Sequence, residues 1–98
     1  MNFEKSNGGT KMVVSLIGEV DSMNTPEIEE KLLKEVEGVT ELVFDLSKLD
    51  YISSAGLRVL LQMQKMMKPV GTMVITNTND DVMDIFKVTG FVRLFTFA

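Results

Sequence analysis

The most constraining feature of this sequence is the segment 42–57, in which an apolar strand leads through a hydroxyl-rich turn into a helix. Leu42-Val43-Phe44 is a continuous apolar run between acidic residues, which predicts a central strand covered on both faces. Ser53 and Ser54 then stand where the helix begins. The first backbone N–H groups of a helix lack partners within it, so a side-chain oxygen or a phosphate is stabilised there.

Composition excludes several classes of active site. The 98 residues, 45% of them hydrophobic and 24% charged, predict one domain over residues 1–98. There is no cysteine and no histidine, so the chain cannot hold a thiolate or imidazole zinc site, a cysteine nucleophile or a Ser-His pair. Most hydrolase and metalloenzyme mechanisms are therefore excluded.

The charge pattern favours a protein partner. The formal net charge is −4, and lysines are scattered among acidic residues rather than clustered on one face. Nucleic-acid-binding proteins usually show such clusters, so no nucleic-acid partner is expected. The sequence shows no basic leader followed by an apolar segment and no apolar run near the ~20 residues that span a bilayer, so no direct membrane insertion is expected. We predict a cytoplasmic protein.

The N-terminal third predicts a hairpin followed by a helix. Asn7-Gly8-Gly9 forms a turn between a short strand near Phe3 and a strand from Lys11 to Ile17 that Gly18 ends. A helix is predicted at about 26–37, because its apolar residues recur at helical spacing. Its boundary signals are Thr25 as N-cap, Pro26 at the first helical position and Gly38 as the C-terminal stop.

The helix that begins near Ser54 has a broad apolar arc. At 100° per residue the arc contains Leu57, Val59, Leu60, Leu61, Met63, Met66 and Met67, and it leaves a narrow polar stripe of Arg58, Gln62, Lys65 and Lys68. Such an arc is wider than one sheet face requires. Two interpretations remain open: the helix also contacts a neighbouring helix, with methionines filling gaps, or Met63 and Met66 lie at a partner surface.

The C-terminal third predicts another strand, helix and strand. Pro69-Val70-Gly71 forms a turn before the strand Thr72–Thr76, and Gly90 ends the next helix. Arg93–Phe97 alternates like a last strand. The N-cap of this helix is either Thr78 or Asn79.

These elements predict an α/β fold. Strands separated by helices favour right-handed crossovers, hence a mostly parallel central sheet of four to five strands. The N-terminal hairpin supplies an antiparallel edge, and the helices pack against the sheet.

Three acidic residues raise the alternative of an enzyme. Asp21 and Asp45 both follow predicted strands and would then lie close together, with Asp50 as a third carboxylate for metal binding or acid-base chemistry. The simpler interpretation is that Asp21 caps the first helix and Asp45 ends a parallel strand. No GxxxxGK[ST] loop is present, which disfavours a nucleotide hydrolase.

Three segments resemble the signature of STAS domains, in particular the small bacterial anti-sigma factor antagonists. They are Gly18-Glu19-Val20-Asp21, the stretch from Asp45 to Ser53-Ser54-Ala55-Gly56-Leu57, and Ile85-Phe86-Lys87-Val88-Thr89-Gly90-Phe91. They occur in the family's order, so the resemblance covers almost the whole chain and implies a STAS-like fold.

The resemblance implies a binding protein that is not an enzyme and needs no cofactor. In this family the antagonist binds an anti-sigma factor that is also a serine kinase, which releases a sigma factor. The kinase phosphorylates the antagonist at the helix start, which separates the two proteins, and a phosphatase reverses the modification. The acceptor position is Ser54, with Ser53 as the alternative. The implied partner-binding residues are Asp21, Ser53, Ser54, Gly56, Leu57 and Arg58. We expect a monomer or weak dimer.

Two departures from the family pattern bear on function. Members under kinase control commonly have aspartate immediately before the acceptor, where this chain has Ser53. This difference favours an alternative, a non-phosphorylated STAS subunit of a lipid-transport or stress-signalling complex.

The sequence also stops at Ala98, where many relatives add a short helix, so one face of the sheet is expected to be less covered or completed by a partner. Gly56 costs helix stability, which indicates either close approach of a partner or a tight strand-to-helix turn.

Overall fold

The computed structural model describes all residues, Met1–Ala98, and contains a four-stranded mixed sheet with three α-helices. The strands are β1 (Asn2–Ser6), β2 (Lys11–Val20), β3 (Glu41–Ile52) and β4 (Thr72–Thr76), and the helices are α1 (Thr25–Glu35), α2 (Ser54–Met67) and α3 (Asp80–Val88). The sheet order is β1-β2-β3-β4, with β1 antiparallel to β2 and the other pairs parallel. The predicted α/β class and the antiparallel edge hairpin are confirmed.

Chain direction explains why one face of the sheet is better covered than the other. Both crossovers, from β2 through α1 to β3 and from β3 through α2 to β4, move the same way across the sheet. Right-handed crossovers in one direction place their helices on the same face. That face is buried, and it consists of Met12, Val14, Leu16, Leu42, Phe44, Leu46, Met73 and Ile75.

The opposite face of the sheet corrects one prediction. Val13, Val43 and Val74 lie in register across β2, β3 and β4, and all three are only half-buried. The apolar run around Val43 therefore does not mark a strand covered on both faces. The hydrophobic pattern alone does not distinguish a strand covered on both faces from a strand covered on one face. Valine is common on half-buried sheet surfaces as well as on fully covered ones.

Two strand boundaries differ from the prediction. Gly18 does not end β2, which continues to Val20 through a shift in its pairing with β3. Gly18 has φ 75°, so the glycine permits an irregularity within the strand rather than a turn after it. β3 likewise extends beyond its predicted apolar run, from Glu41 to Ile52.

The C-terminal segment is not a regular strand. Phe91–Leu94 forms a 3-10 helix, and only Phe97 pairs with Ile75 of β4. The aromatic rings of Phe95 and Phe97 pack edge-to-face on Phe86 of α3, with centroids 5.6 and 5.2 Å from it. The alternation that predicted a strand over Arg93–Phe97 instead reflects aromatic side chains that cover α3.

Helix boundaries follow their capping signals. The Asn79 side chain caps α3 by accepting from the N–H of Val82 at 2.9 Å, which confirms one of the two predicted caps. α1 spans Thr25–Glu35 rather than 26–37, and Thr25 is its first residue rather than its N-cap.

α2 contacts α1, and Met63 of α2 is fully buried. The interpretation in which this helix also packs on a neighbouring helix is confirmed.

Candidate functional site

The candidate site lies at the carboxyl ends of β2 and β3, where two helices begin side by side. Val20 pairs with Ile52 at the ends of these parallel strands, and the N–H of Ser53 donates to the carbonyl of Val20 at 2.7 Å. The loop that follows β2 is therefore held beside the first turn of α2. The register of the sheet brings Asp21 near Ser53, although some 30 residues separate them along the chain.

Ser53 and Ser54 have different roles in the structure. Ser53 is the N-cap of α2, with extended backbone, and its Oγ accepts from the N–H of Gly56 at 3.2 Å. Ser54 is the first helical residue, and its side chain is exposed and makes no hydrogen bond within the chain. The fold therefore uses the hydroxyl of Ser53 and leaves that of Ser54 free.

Gly56 and Leu57 belong to the interior. A Cβ added at Gly56 would lie 2.7 Å from Cγ1 of Val20 and 2.8 Å from Cγ1 of Ile52, so only glycine allows α2 to approach these strands. Leu57 is 0% exposed. The predicted partner-binding role of these two residues is therefore corrected: their side-chain positions face the core, and they set where α2 begins.

The loop before α1 is held by reciprocal hydrogen bonds. Oδ1 of Asp21 accepts from the N–H groups of Met23 and Asn24, both at 2.9 Å. In return, the side chain of Asn24 accepts from the N–H of Asp21 at 2.9 Å and donates to the carbonyl of Glu19 at 2.8 Å. The predicted capping interaction of Asp21 is present, but it orders the loop ahead of α1 rather than the first helical turn.

This ordered loop displays a methionine that sequence reasoning missed. Met23 is 88% exposed, although its backbone N–H is fixed by Asp21. An apolar side chain presented on a rigid loop can enter a partner's pocket with little loss of conformational freedom. The available signal was the isolated methionine between two residues, Asp21 and Asn24, that favour turns.

Arg58 extends the exposed surface along α2. It follows Ser54 by four residues, which places the two side chains on one face of the helix. Arg58 is exposed and takes part in none of the four ion pairs of the chain. Among the predicted partner-binding residues, Asp21, Ser53, Ser54 and Arg58 thus lie together at the surface.

Asp45 does not join this site. β3 continues for seven residues from Asp45 to Ile52, so at ~3.3 Å per residue Asp45 lies about 20 Å from the strand end beside Asp21. Its Oδ1 accepts from the N–H of Ser47 at 2.9 Å and from Nδ2 of Asn77 at 3.3 Å. The Ser47 N–H is the main cause that lowers the pKa of Asp45.

The expected proximity of Asp21 and Asp45 is therefore wrong. Asp45 ends the pairing of β3 with β4, opposite Thr76, but not β3 itself. No group of three or more acidic side chains in the chain could hold a metal ion. No helix is long and apolar enough to cross a bilayer.

Comparison with known proteins places this geometry in a family. The sequence profile of the STAS domain matches residues 2–98. BtrV of Bordetella bronchiseptica, named as a candidate anti-sigma factor antagonist, is 38% identical over 89 residues, which cover 89% of this chain and 77% of BtrV. The anti-sigma-B factor antagonist of Bacillus subtilis is 28% identical over 91 residues, which cover 92% of this chain and 84% of that protein.

Solved structures share the same architecture. The Bacillus anti-sigma factor antagonist SpoIIAA superposes in its unphosphorylated form with a TM-score of 0.80, at 21% identity over 99% of this chain and 88% of SpoIIAA. Its phosphorylated form superposes with a TM-score of 0.72, at 20% identity over 99% of this chain and 91% of that one. The matched profile and the relatives together show that this chain belongs to the STAS domain family, among its anti-sigma factor antagonists.

Proposed function

We propose that this chain binds an anti-sigma factor that is a serine kinase, and that phosphorylation of Ser54 ends the complex. The observation that carries the proposal is the free, exposed hydroxyl of Ser54 at the first position of α2. SpoIIAA, which has the same fold, is known in unphosphorylated and phosphorylated forms. A modification of this kind in the family supports, by analogy, a modification of this chain.

The position of Ser54 allows a change of charge without loss of the fold. A phosphate adds about −1.5 to −2 charges, and the N-terminal end of a helix stabilises an anion. Because the capping bond is made by Ser53, phosphorylation of Ser54 breaks no hydrogen bond. The domain stays folded while its exposed surface around Ser54 becomes more negative.

The proposed docking surface consists of Asp21, Met23, Ser53, Ser54 and Arg58. It combines one exposed apolar anchor, Met23, with an ordered carboxylate and a cation that has no partner in the chain. A partner that is complementary to these groups meets a new negative charge at Ser54 after phosphorylation. Like charges brought together at an interface cost several kcal/mol, which suffices to release the partner.

The test is phosphorylation by the anti-sigma factor kinases of the source organism, followed by intact mass measurement and calorimetry. One phosphate is expected on the wild type and none on Ser54→Ala, which should keep full affinity for the kinase. Ser54→Asp should fold and bind at least tenfold more weakly. Ser53→Asn is the matched control, because asparagine retains the N-cap and removes the neighbouring hydroxyl.

The outcomes separate the two functions that the sequence left open. Equal affinity of Ser54→Ala and Ser54→Asp for the anti-sigma factor would refute the switch. Absence of phosphate on the wild type with every kinase, combined with binding to a membrane transporter ATPase, would establish the non-phosphorylated STAS subunit instead. Phosphate on Ser54→Ala but not on Ser53→Asn would move the acceptor to Ser53.

A further inference from the structure

The outer face of α2 is positively charged in a chain that is negative overall. α2 contains no aspartate or glutamate, and its exposed side chains include Arg58 and Lys65, with Lys68 directly after its end. The formal net charge of the chain is −4, so the remainder is more negative still. α2 thus differs from α1 not in its number of cations, which is two in each helix, but in having no acidic residue beside them.

No residue of the chain neutralises these cations. The four ion pairs join Lys5 to Glu35, Lys11 to Glu41, Lys31 to Glu27 and Lys34 to Glu30. Both lysines of α1 are therefore paired, whereas the cations of α2 have no partner. Exposed ion pairs add little to stability, so an unpaired cation costs the fold little and stays available to another molecule.

Apolar surface lies between the cations. An open, shallow surface on the outer side of α2 is formed by Arg58, Leu61, Gln62, Lys65 and Met66. Met66 is 41% exposed and also borders a depression of about 310 Å³ with Val70, which is 56% exposed. The sequence left open whether Met63 and Met66 fill gaps in the core or lie at a partner surface. In the structure Met63 is buried and Met66 is at the surface.

We propose that the outer face of α2, formed by Arg58, Leu61, Gln62, Lys65 and Met66, binds a carboxylate-rich amphipathic segment of the anti-sigma factor. This inference rests on the proposed function and extends the docking surface about two turns beyond Arg58. The occupant follows from charge complementarity: carboxylates meet unpaired cations, and apolar side chains of the segment meet Leu61 and Met66. A nucleic acid would bind the cations but leave these apolar side chains without a counterpart.

The same surface gives the phosphate on Ser54 a specific target. Residues i and i+4 of a helix are neighbours, so a phosphate on Ser54 lies within reach of the Arg58 guanidinium. The phosphate then competes with the partner's carboxylate for Arg58 and repels the rest of that segment. Arg58 is thus the residue through which phosphorylation and binding exclude each other.

The first experiment measures affinity for the anti-sigma factor by calorimetry at two salt concentrations. Arg58→Glu and Lys65→Glu should each weaken binding about five- to tenfold, and the wild type should lose affinity as salt rises. Lys87→Glu is the matched control, because Lys87 is an exposed, unpaired lysine in the last turn of α3, as Lys65 is in α2. Unchanged affinity in Lys65→Glu, with Ser54→Asp still weakened, would overturn this inference and leave the proposed function intact.

The second experiment needs neither kinase nor anti-sigma factor. A synthetic helical peptide with glutamates flanking leucines is titrated into the protein, and amide chemical shifts are followed by NMR. Shifts should concentrate on α2 and fall at least threefold in Lys65→Glu but not in Lys87→Glu; a peptide with lysines in place of glutamates should cause none. Shifts located elsewhere, equal shifts with the lysine peptide, or tighter binding of duplex DNA at the same residues would each overturn the proposal.

Discussion

The two helices that meet at the candidate site begin in different ways. At the start of α1, four hydrogen bonds between the side chains of Asp21 and Asn24 and nearby backbone groups hold the loop. At the start of α2, one cap bond from Ser53 is combined with close packing of Gly56 on Val20 and Ile52. The start of α1 is therefore held by polar contacts, whereas the start of α2 is held mainly by close packing of apolar groups.

This difference bears on where a modification can be tolerated. A phosphate placed in the polar network of Asp21 would disturb hydrogen bonds that hold the loop. The start of α2 is instead held in place by buried packing contacts, which a phosphate at the surface does not disturb. Ser54 can therefore change its charge while the helix that carries it stays in place.

Gly56→Val should produce the largest effect and would break the start of α2. The added side chain overlaps Val20 and Ile52, so we expect a loss of about 3 kcal/mol in the free energy of unfolding. Urea denaturation measures it. Ala55→Val introduces the same residue at the half-buried neighbouring position and should cost about 1 kcal/mol or less. Equal stability of the two variants would mean that packing does not fix this helix start.

Asp21→Ala should have the next largest effect and would loosen the start of α1. It removes the acceptor of the Met23 and Asn24 N–H groups, so a loss of about 1–2 kcal/mol is expected. Hydrogen exchange of these two amides should accelerate while that of Gly56 stays the same. Ser22→Ala, an exposed neighbour, should change stability by less than ~0.5 kcal/mol. Faster exchange at Gly56 as well would show that the two helix starts are coupled.

Ser53→Ala should cost about 1 kcal/mol, because it removes the oxygen that accepts from the Gly56 N–H. Ser54→Ala should be within ~0.5 kcal/mol of the wild type, since the Ser54 hydroxyl makes no hydrogen bond in the chain. Thermal or urea unfolding distinguishes them. The division of roles between the two serines would be wrong if Ser54→Ala proved the more damaging change.

Asp45→Asn should have the smallest effect on stability. Asp45 lies outside the candidate site and serves as a comparison for Asp21. Asp45 accepts from the N–H two residues ahead, as Asp21 does, and this bond lowers the pKa of Asp45 below its ordinary 3.8. A lowered folded-state pKa stabilises the protein above pH ~4, and this contribution disappears as the pH falls through the folded-state pKa. Urea midpoints between pH 5 and pH 2 should therefore fall less in Asp45→Asn than in the wild type. Parallel pH profiles would contradict the assignment.

Elements with complete local signals were predictable from the sequence. Short polar residues before an apolar helical pattern indicated a helix start at Ser53-Ser54 and another at Thr78-Asn79, and in the structure Ser53 and Asn79 are the caps. The order of strands and helices, and hence the mostly parallel sheet, followed from the same patterns. Their signals are local, so long-range contacts were not needed to interpret them.

Other features depended on contacts between distant segments. The alternation in Arg93–Phe97 is compatible with a strand, but Phe95 and Phe97 gain more by packing on Phe86. Gly18 resembles a strand end, yet pairing with β3 carries β2 two residues further. Local propensity is weak compared with burial and pairing, and in these places tertiary contacts prevailed.

The sequence by itself determined the α/β order, the hydroxyl-rich start of α2 and the resemblance to its family. Only the tertiary structure decided which serine caps the helix and which is free, that Gly56 faces the core, and that the loop after β2 lies beside the start of α2. Capping requirements are local properties of the backbone. Proximity between the ends of β2 and β3 is set by strand register, which pairs Val20 with Ile52 across some 30 residues of intervening chain.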